Sequence, residues 1–181
     1  EYGWDILEAL KSHRLTGIWI PEEFGGQGAG VLDICLVVEQ LSRACGGIGV
    51  AYAVNALGSF PILLAGTEAQ KRRYLPPIAS GEKLISFGLS EKYAGSDAQS
   101  LRCRATRDGE HYVLDGEKKW NTNGGAAHLY TVFAVTDPSS KSRRISAFLV
   151  DKEDGIPGFR IGKVEDKMGI RCVPVVELQF A

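Results

Sequence analysis

The chain has 181 residues, which is enough for one large domain or two small ones. Its 21 Lys and Arg residues nearly balance its 22 Asp and Glu residues, which excludes a bulk charge that would attract nucleic acid or an anionic membrane. A hydrophobic fraction of 44% supplies enough apolar surface for a buried core.

The first half of the chain has the periodicity of helices. Apolar residues recur at steps of three and four over residues 4–15, which predicts an amphipathic helix. Residues 17–28 are rich in glycine and form an ordered loop. Pro61 is expected to kink or restart a later helix, and Thr67 with Gln70 forms a capping box for the last one. These later helices are predicted at 31–44, 48–65 and 68–78.

After Lys83 the hydrophobic period becomes two, which is typical of strands. Turn signals at residues 107–110 and 115–116 separate some of the predicted strands. Strands are predicted at 84–87, 102–106, 111–114, 129–136, 145–150 and 175–180. The fold class is therefore α+β: an N-terminal portion of a helical bundle over residues 1–83, then an antiparallel β-barrel-like middle domain over residues 84–181.

The cysteine pattern argues against a metal site. The four cysteines form no Cys-x-x-Cys pair, so zinc spacing is absent, and we expect them to be small buried hydrophobes in a reducing, intracellular setting. No apolar run is expected to be long enough to span a bilayer. The chain begins without methionine at Glu1 and stops in a strand-like run at Ala181, so we expect a fragment of a longer protein.

The stretch at residues 87–97 is the first candidate site. An apolar strand ends at Leu89 and Ser90, and a small polar loop with Ala94, Gly95 and Ser96 follows. A flavin needs a flat apolar surface for its ring, backbone groups for the polar edge of the ring, and N–H donors and hydroxyls for its pyrophosphate. This stretch could provide them. The alternative is a plain exit from a strand into a solvated loop.

The second candidate site lies at residues 120–124. Trp120 can cover one face of a planar ring, and the Thr122 hydroxyl can form a hydrogen bond at the ring's edge. The alternative is a hairpin in which Trp120 merely packs against the barrel.

Four phrases, in order along the chain, resemble those of the acyl-CoA dehydrogenase family. They are Pro21-Glu22-Glu23-Phe24-Gly25-Gly26, Ser90-Glu91-Lys92-Tyr93-Ala94-Gly95-Ser96-Asp97, Gly116-Glu117-Lys118-Lys119-Trp120-Asn121-Thr122-Asn123-Gly124 and Lys167-Met168-Gly169-Ile170-Arg171. Because the phrases span nearly the whole chain, the resemblance is specific.

The resemblance implies FAD as the cofactor and assigns roles to seven residues. The flavin ring would contact Phe87, Leu89 and Ser90, with the backbone of Leu89 and Ser90 serving its polar edge. Trp120 would pack beside the ring, and Thr122 would hydrogen-bond near the nitrogen that accepts hydride. The remaining two are Gly95 and Ser96, which would lie by the pyrophosphate, Ser96 also by the pantetheine arm of the substrate. The Lys167–Arg171 phrase would be architectural.

Two positions depart from the family pattern. Lys92 stands where the family has proline, so the backbone conformation of the loop is less restricted. Tyr93 beside it could reshape the mouth of the substrate channel. Asn121 stands where the family has isoleucine. It could alter the flavin potential or the choice of substrate, or point into solvent; we expect solvent.

The resemblance also implies the reaction, which is α,β-dehydrogenation of an acyl-CoA thioester. A carboxylate removes the α proton and the β carbon passes hydride to the flavin. In the family that base comes from a C-terminal helical domain, so no catalytic residue is nominated here. The carboxylates set aside are Glu22, Glu23, Glu39 and Glu91. We expect the fragment alone to show little turnover and weak flavin binding.

Other activities on the same scaffold remain open. They are an acyl-CoA oxidase, a flavin monooxygenase, and a non-catalytic binding protein. The resemblance further implies an electron-transferring flavoprotein as electron acceptor, a homotetramer, and a location in the bacterial cytoplasm or the mitochondrial matrix. The sequence does not indicate the acyl chain length of the substrate.

Overall fold

The computed structural model describes residues 2–140, 142–152 and 155–181. The helices are α1 (Trp4–Ser12), α2 (Val31–Ala44), α3 (Gly46–Ala65) and α4 (Glu68–Ala79), with short 3₁₀ turns at Glu22–Phe24 and Ala98–Ser100. The strands are β1 (Ile85–Gly88), β2 (Arg104–Asp108), β3 (His111–Thr122), β4 (Leu129–Val135), β5 (Ile145–Asp151), β6 (Arg160–Val164) and β7 (Val175–Phe180). A helical part followed by a curled sheet confirms the α+β fold class.

The helix ends follow local chemistry. At the start of α4, the Gln70 N–H donates to Thr67 Oγ1 at 3.2 Å, and the Thr67 N–H donates to Gln70 Oε1 at 2.9 Å. This reciprocal pair is the predicted capping box, and it satisfies donors that the first turn leaves free. Helix α3 runs through Pro61 without a break, so the proline does not restart it.

Helix α3 is the long apolar element of the helical half. An 18-residue stretch within its 20 residues has a mean hydropathy of 1.7, so by length and composition the helix could cross a membrane, contrary to the expectation that no run is long enough. Half of that stretch is buried inside the fold. Two of its residues also bind the sheet: Asn55 Oδ1 accepts from the Ile85 N–H at 3.0 Å, and the Gly58 carbonyl accepts from Thr131 Oγ1 at 2.7 Å. These contacts are typical of a core helix.

The sheet is mixed rather than purely antiparallel. Strand β4 pairs with β5 in antiparallel fashion on one side and with β1 in parallel fashion on the other. Strand β3 joins β2 to β7, and β7 joins β6, all antiparallel. The parallel pair follows from the connection, because the β2–β3 hairpin lies between β1 and β4 in the chain and provides the long crossover that parallel neighbours need.

Two strand predictions need correction. The predicted turn at residues 115–116 lies inside β3, where Gly116 has φ +135° and a Cβ would come within 2.9 Å of Cys103 Cα. Glycine there permits close approach of Cys103, the residue before β2, and does not form a turn. Strand β6 was missed because its short sequence, with Gly162 at its centre, has a weak period-two signal.

Helices and sheet share a core beneath α3 and α4. Buried side chains from both halves meet there: Ile62 and Leu75 from the helices, Ile85 and Leu129 from the strands. A second cluster lies between β4 and β7 and includes Tyr130. The division of the chain into two domains after residue 83 stays a prediction.

Candidate flavin site

The end of β1 and the end of β3 lie side by side. The Lys119 N–H donates to the Ser90 carbonyl at 2.8 Å, and Ser86 Oγ donates to the Thr122 carbonyl at 2.7 Å. The two candidate stretches, separate in the sequence, therefore form one surface.

A buried ion pair holds this junction from within. Lys118 Nζ donates to Glu91 Oε1 at 2.6 Å and to the Leu89 carbonyl at 3.1 Å, and the Lys118 side chain is fully buried. The Glu91 carboxylate also accepts from the N–H groups of Arg102 and Cys103, at 2.6 and 2.9 Å. Burial alone would raise the pKa of Glu91, but the hydrogen bonds from Lys118, Arg102 and Cys103 outweigh it and lower that pKa. Glu91 is thus an ionised structural anchor.

A β-bulge displays Trp120 at the surface. The pairing of β3 with β7 slips by one residue between Lys118 and Asn121. Within the slip Trp120 takes φ +57°, a left-handed conformation that is strained for a bulky residue, and 55% of its surface is exposed. The alternative in which Trp120 packs into the barrel is therefore wrong. Strain held at an exposed aromatic is typical of functional sites.

The two stretches that form this surface carry unpaired polar groups. Across the described ranges, the Thr122 hydroxyl and the amide N–H groups of Leu89 and Ser90 form no hydrogen bond. All three residues are half-buried. Phe87, also half-buried, places its ring 5.1 Å from the Phe133 ring. These groups can contact a planar ligand and hydrogen-bond its edge.

Gly95 and Ser96 lie in the exposed loop that follows. Glu91 and Ala94 form an isolated bridge that closes the start of this loop, and nothing lies within 4 Å of a Cβ placed at Gly95. In the part of the chain that the structure describes, no backbone hydrogen bond joins Gly95 or Ser96 to Trp120. The loop is open, as a pyrophosphate would require.

Tyr93, the neighbour of the departing residue Lys92, is 69% exposed and lies between two cations. Lys92 Nζ is 5.2 Å and the Arg102 guanidinium 5.5 Å from the centre of its ring. Lys92 therefore adds a positive charge to the loop where the family has proline.

Asn121 does not point into solvent, so that expectation is wrong. Its side chain is buried, with Nδ2 donating to the Val176 carbonyl at 2.9 Å and Oδ1 without a partner among the described residues. The bulge explains the reversal, because the extra residue turns Trp120 outward and Asn121 inward.

The sequence reasoning missed Glu91 and Lys118 as positioning residues. A usable signal existed in β3, where Leu114, Gly116 and Lys118 alternate on the inward face. A lysine at a core position requires a buried partner, and Glu91 in the adjoining phrase is that partner.

An exposed aromatic on the same surface as free polar groups can accept a flat ligand, and comparisons identify the family. Profiles of the acyl-CoA dehydrogenase N-terminal and middle domains match residues 1–82 and 86–181. Probable acyl-CoA dehydrogenase FadE25 of Mycobacterium tuberculosis is 45% identical over 176 residues, which are 97% of this chain and 45% of that protein.

Solved structures agree with these matches. Butyryl-CoA dehydrogenase from Megasphaera elsdenii superposes with a TM-score of 0.89 at 41% identity, over 99% of this chain and 48% of that chain. An acyl-CoA dehydrogenase complexed with FAD from Bacillus anthracis superposes with a TM-score of 0.88 at 37% identity, over 98% and 30%.

The chain belongs to the acyl-CoA dehydrogenase family. It spans about half the length of the curated relatives it matches.

Proposed function

We propose that this chain provides the flavin-binding wall of an FAD-dependent acyl-CoA dehydrogenase, which forms an α,β double bond in an acyl-CoA thioester. The single observation that carries the proposal is the bulge that displays Trp120 beside the free hydroxyl of Thr122. A binding or assembly protein has no need to hold a strained, exposed tryptophan at that position.

The residues present fit an isoalloxazine ring. Phe87 and Leu89 supply apolar surface, and the free N–H groups of Leu89 and Ser90 suit the carbonyl oxygens of its pyrimidine edge. Trp120 would cover the ring, and the Thr122 hydroxyl would hydrogen-bond at its edge. When bound, FAD supplies the acceptor for the hydride that leaves the β carbon.

The loop at Gly95 and Ser96 suits the charged parts of cofactor and substrate. Gly95 leaves open space for the pyrophosphate, and the exposed Ser96 can hydrogen-bond both the pyrophosphate and the pantetheine arm. The family relatives named as acyl-CoA dehydrogenases support a thioester as substrate.

The chain's own carboxylate beside the site does not act as the base. Glu91 accepts hydrogen bonds from Lys118, Arg102 and Cys103, and its lowered pKa makes it a poor acceptor for the α proton. We propose no catalytic base among these residues. Its expected source is the C-terminal helical domain of the family.

An anaerobic absorbance titration of the natural full-length protein tests this function. We expect a yellow protein whose flavin band bleaches when an acyl-CoA thioester of suitable chain length is added. Bleaching followed by rapid recolouring and oxygen uptake in air would indicate an acyl-CoA oxidase instead of a dehydrogenase. A protein that cannot be loaded with FAD would overturn the proposal.

Partners and compartment follow from the same proposal. We propose an electron-transferring flavoprotein as the electron acceptor and a homo-oligomer, with a homotetramer as the expected state. The bacterial cytoplasm or the mitochondrial matrix is the proposed location. Reduction of the acceptor flavoprotein by enzyme and acyl-CoA, followed in a stopped-flow instrument, tests the first of these.

A further inference from the structure

Two cysteines that are far apart in the sequence meet at a junction between the helices and the sheet. Cys45 Sγ and Cys172 Sγ are 3.8 Å apart, although 127 residues separate them. Cys45 is the residue between α2 and α3, and Cys172 precedes β7. Both are free thiols. The expectation that the cysteines are buried hydrophobes is wrong for Cys35 and Cys45, which are exposed.

The two thiols differ in a way that suits sequential reaction. The backbone N–H groups of Ile48 and Gly47 at the start of α3, together with the Cys172 thiol, lower the pKa of Cys45. Burial and the neighbouring Cys45 raise the pKa of Cys172. Exposed Cys45 is therefore the attacking thiolate, and Cys172 is the second thiol that resolves the intermediate.

The surroundings leave room for the sulfurs to close. A Cβ on Gly47 would lie 2.3 Å from Cys172 Sγ, so only glycine at that position lets Cys172 sit over the start of α3. Cys172 also lines an open cavity of about 370 Å³, together with Trp4 and Lys167. A small oxidant can enter there. The sulfurs, now 3.8 Å apart, need to approach to about 2.05 Å to form a disulfide.

We propose that Cys45 and Cys172 form a reversible disulfide when the protein meets hydrogen peroxide. The Cys45 thiolate attacks one peroxide oxygen; an S–O bond forms, the O–O bond breaks, and the departing hydroxide takes a proton to become water. The Cys172 sulfur then attacks the Cys45 sulfur; the S–S bond forms, the S–O bond breaks, and a second water leaves. Two thiols lose two electrons and one peroxide gains them. A dithiol reductant reverses the change.

The bond would tie the helices to the flank of the candidate flavin site. The Pro174 carbonyl, two residues after Cys172, accepts a hydrogen bond of 2.9 Å from the N–H of Asn123. Asn123 is the residue that follows Thr122. A disulfide at Cys172 would restrain this segment against α3. The redox state of the thiol pair would thus be transmitted to the end of β3.

Peptide mapping of the full-length protein after peroxide treatment tests the proposal. We expect one cross-linked peptide pair joining Cys45 to Cys172, an intact mass lower by two hydrogens, and reversal by dithiothreitol. Cys35→Ser should leave the cross-link unchanged, and Cys172→Ser should abolish it. Peroxide treatment that leaves both thiols open to alkylation, or that joins two chains through them, overturns the proposal.

A glycine pair provides a matched test that keeps both cysteines. Gly47→Ala places a methyl against Cys172 Sγ and should slow the cross-link at least about tenfold. Gly46→Ala, one residue earlier, meets open space and should leave the rate within about twofold. Alanine is the better helix former at both positions, and circular dichroism and thermal melting check that both variants fold. Equal rates in the two variants contradict the proposed geometry.

Discussion

Lys118 and Glu91 form an ion pair of 2.6 Å inside the sheet, and this pair joins the two stretches that compose the candidate flavin site. Lys118 comes two residues before Trp120, and Glu91 comes directly after Ser90. Because Lys118 also binds the Leu89 carbonyl, one side chain fixes both ends of the wall. The buried Lys118–Glu91 ion pair therefore holds the two stretches of the candidate site together from the inner side of the sheet.

Removing the lysine should destabilise the fold strongly. Lys118→Met leaves Glu91 ionised and buried with only two backbone donors, and we expect a loss of about 3–5 kcal/mol in the free energy of unfolding in urea. Adding Glu91→Gln should recover part of that loss. The surface pair of exposed Lys163 with half-buried Glu165 provides the control, since Lys163→Met should change stability by less than about 1 kcal/mol. Equal losses in the two lysine variants would contradict the anchor role.

The contribution of Glu91 should vanish in acid. Its folded pKa lies below the unfolded value of about 4.3, so the stability it adds is present above that pH and is lost as pH falls through the folded pKa. The difference in unfolding free energy between the protein and Glu91→Gln should be constant from about pH 7 to about pH 5 and shrink below about pH 4. Glu110→Gln, in the exposed turn after β2, is the control. A difference that grows in acid would reverse the assigned sign.

Replacing Trp120 should separate stability from flavin binding. Asparagine tolerates the left-handed conformation that tryptophan holds under strain, so Trp120→Asn should keep or raise stability by up to about 1 kcal/mol. Loss of the indole face should weaken FAD binding at least about tenfold, measured by flavin fluorescence titration. Tyr112→Asn, an exposed aromatic on the same strand, should leave FAD affinity unchanged. Unchanged affinity in Trp120→Asn would remove the indole from the site.

Two threonines make a matched pair. Thr122→Val removes a hydroxyl with no partner among the described residues, so unfolding free energy should change by less than about 0.5 kcal/mol while the flavin spectrum and potential shift. Thr131→Val removes the buried donor to the Gly58 carbonyl and should cost about 1–3 kcal/mol without changing the spectrum of the bound flavin. An unaltered flavin in Thr122→Val would place that hydroxyl outside the cofactor's reach.

Local chemistry in the sequence determined most of the elements. The Thr67–Gln70 capping box, the helix at residues 31–44 and the strand at residues 175–180 all follow from neighbouring residues, and the structure has them where they were predicted. The phrases around Ser90 and Trp120 likewise indicate the family from sequence alone. These signals are readable because caps, turns and periodicity act over a few residues.

Only the tertiary structure decided which side chains face the site and which neighbours they meet. The bulge that turns Trp120 outward and Asn121 inward arises from pairing with β7, more than fifty residues later. The approach of Cys45 to Cys172 likewise depends on contacts between residues distant in the chain. A one-residue slip in register moves every following side chain to the opposite face of the sheet, and the local hydrophobic periodicity does not predict such a slip. Sequence thus determined the elements and the family, while long-range packing determined the orientation of the site.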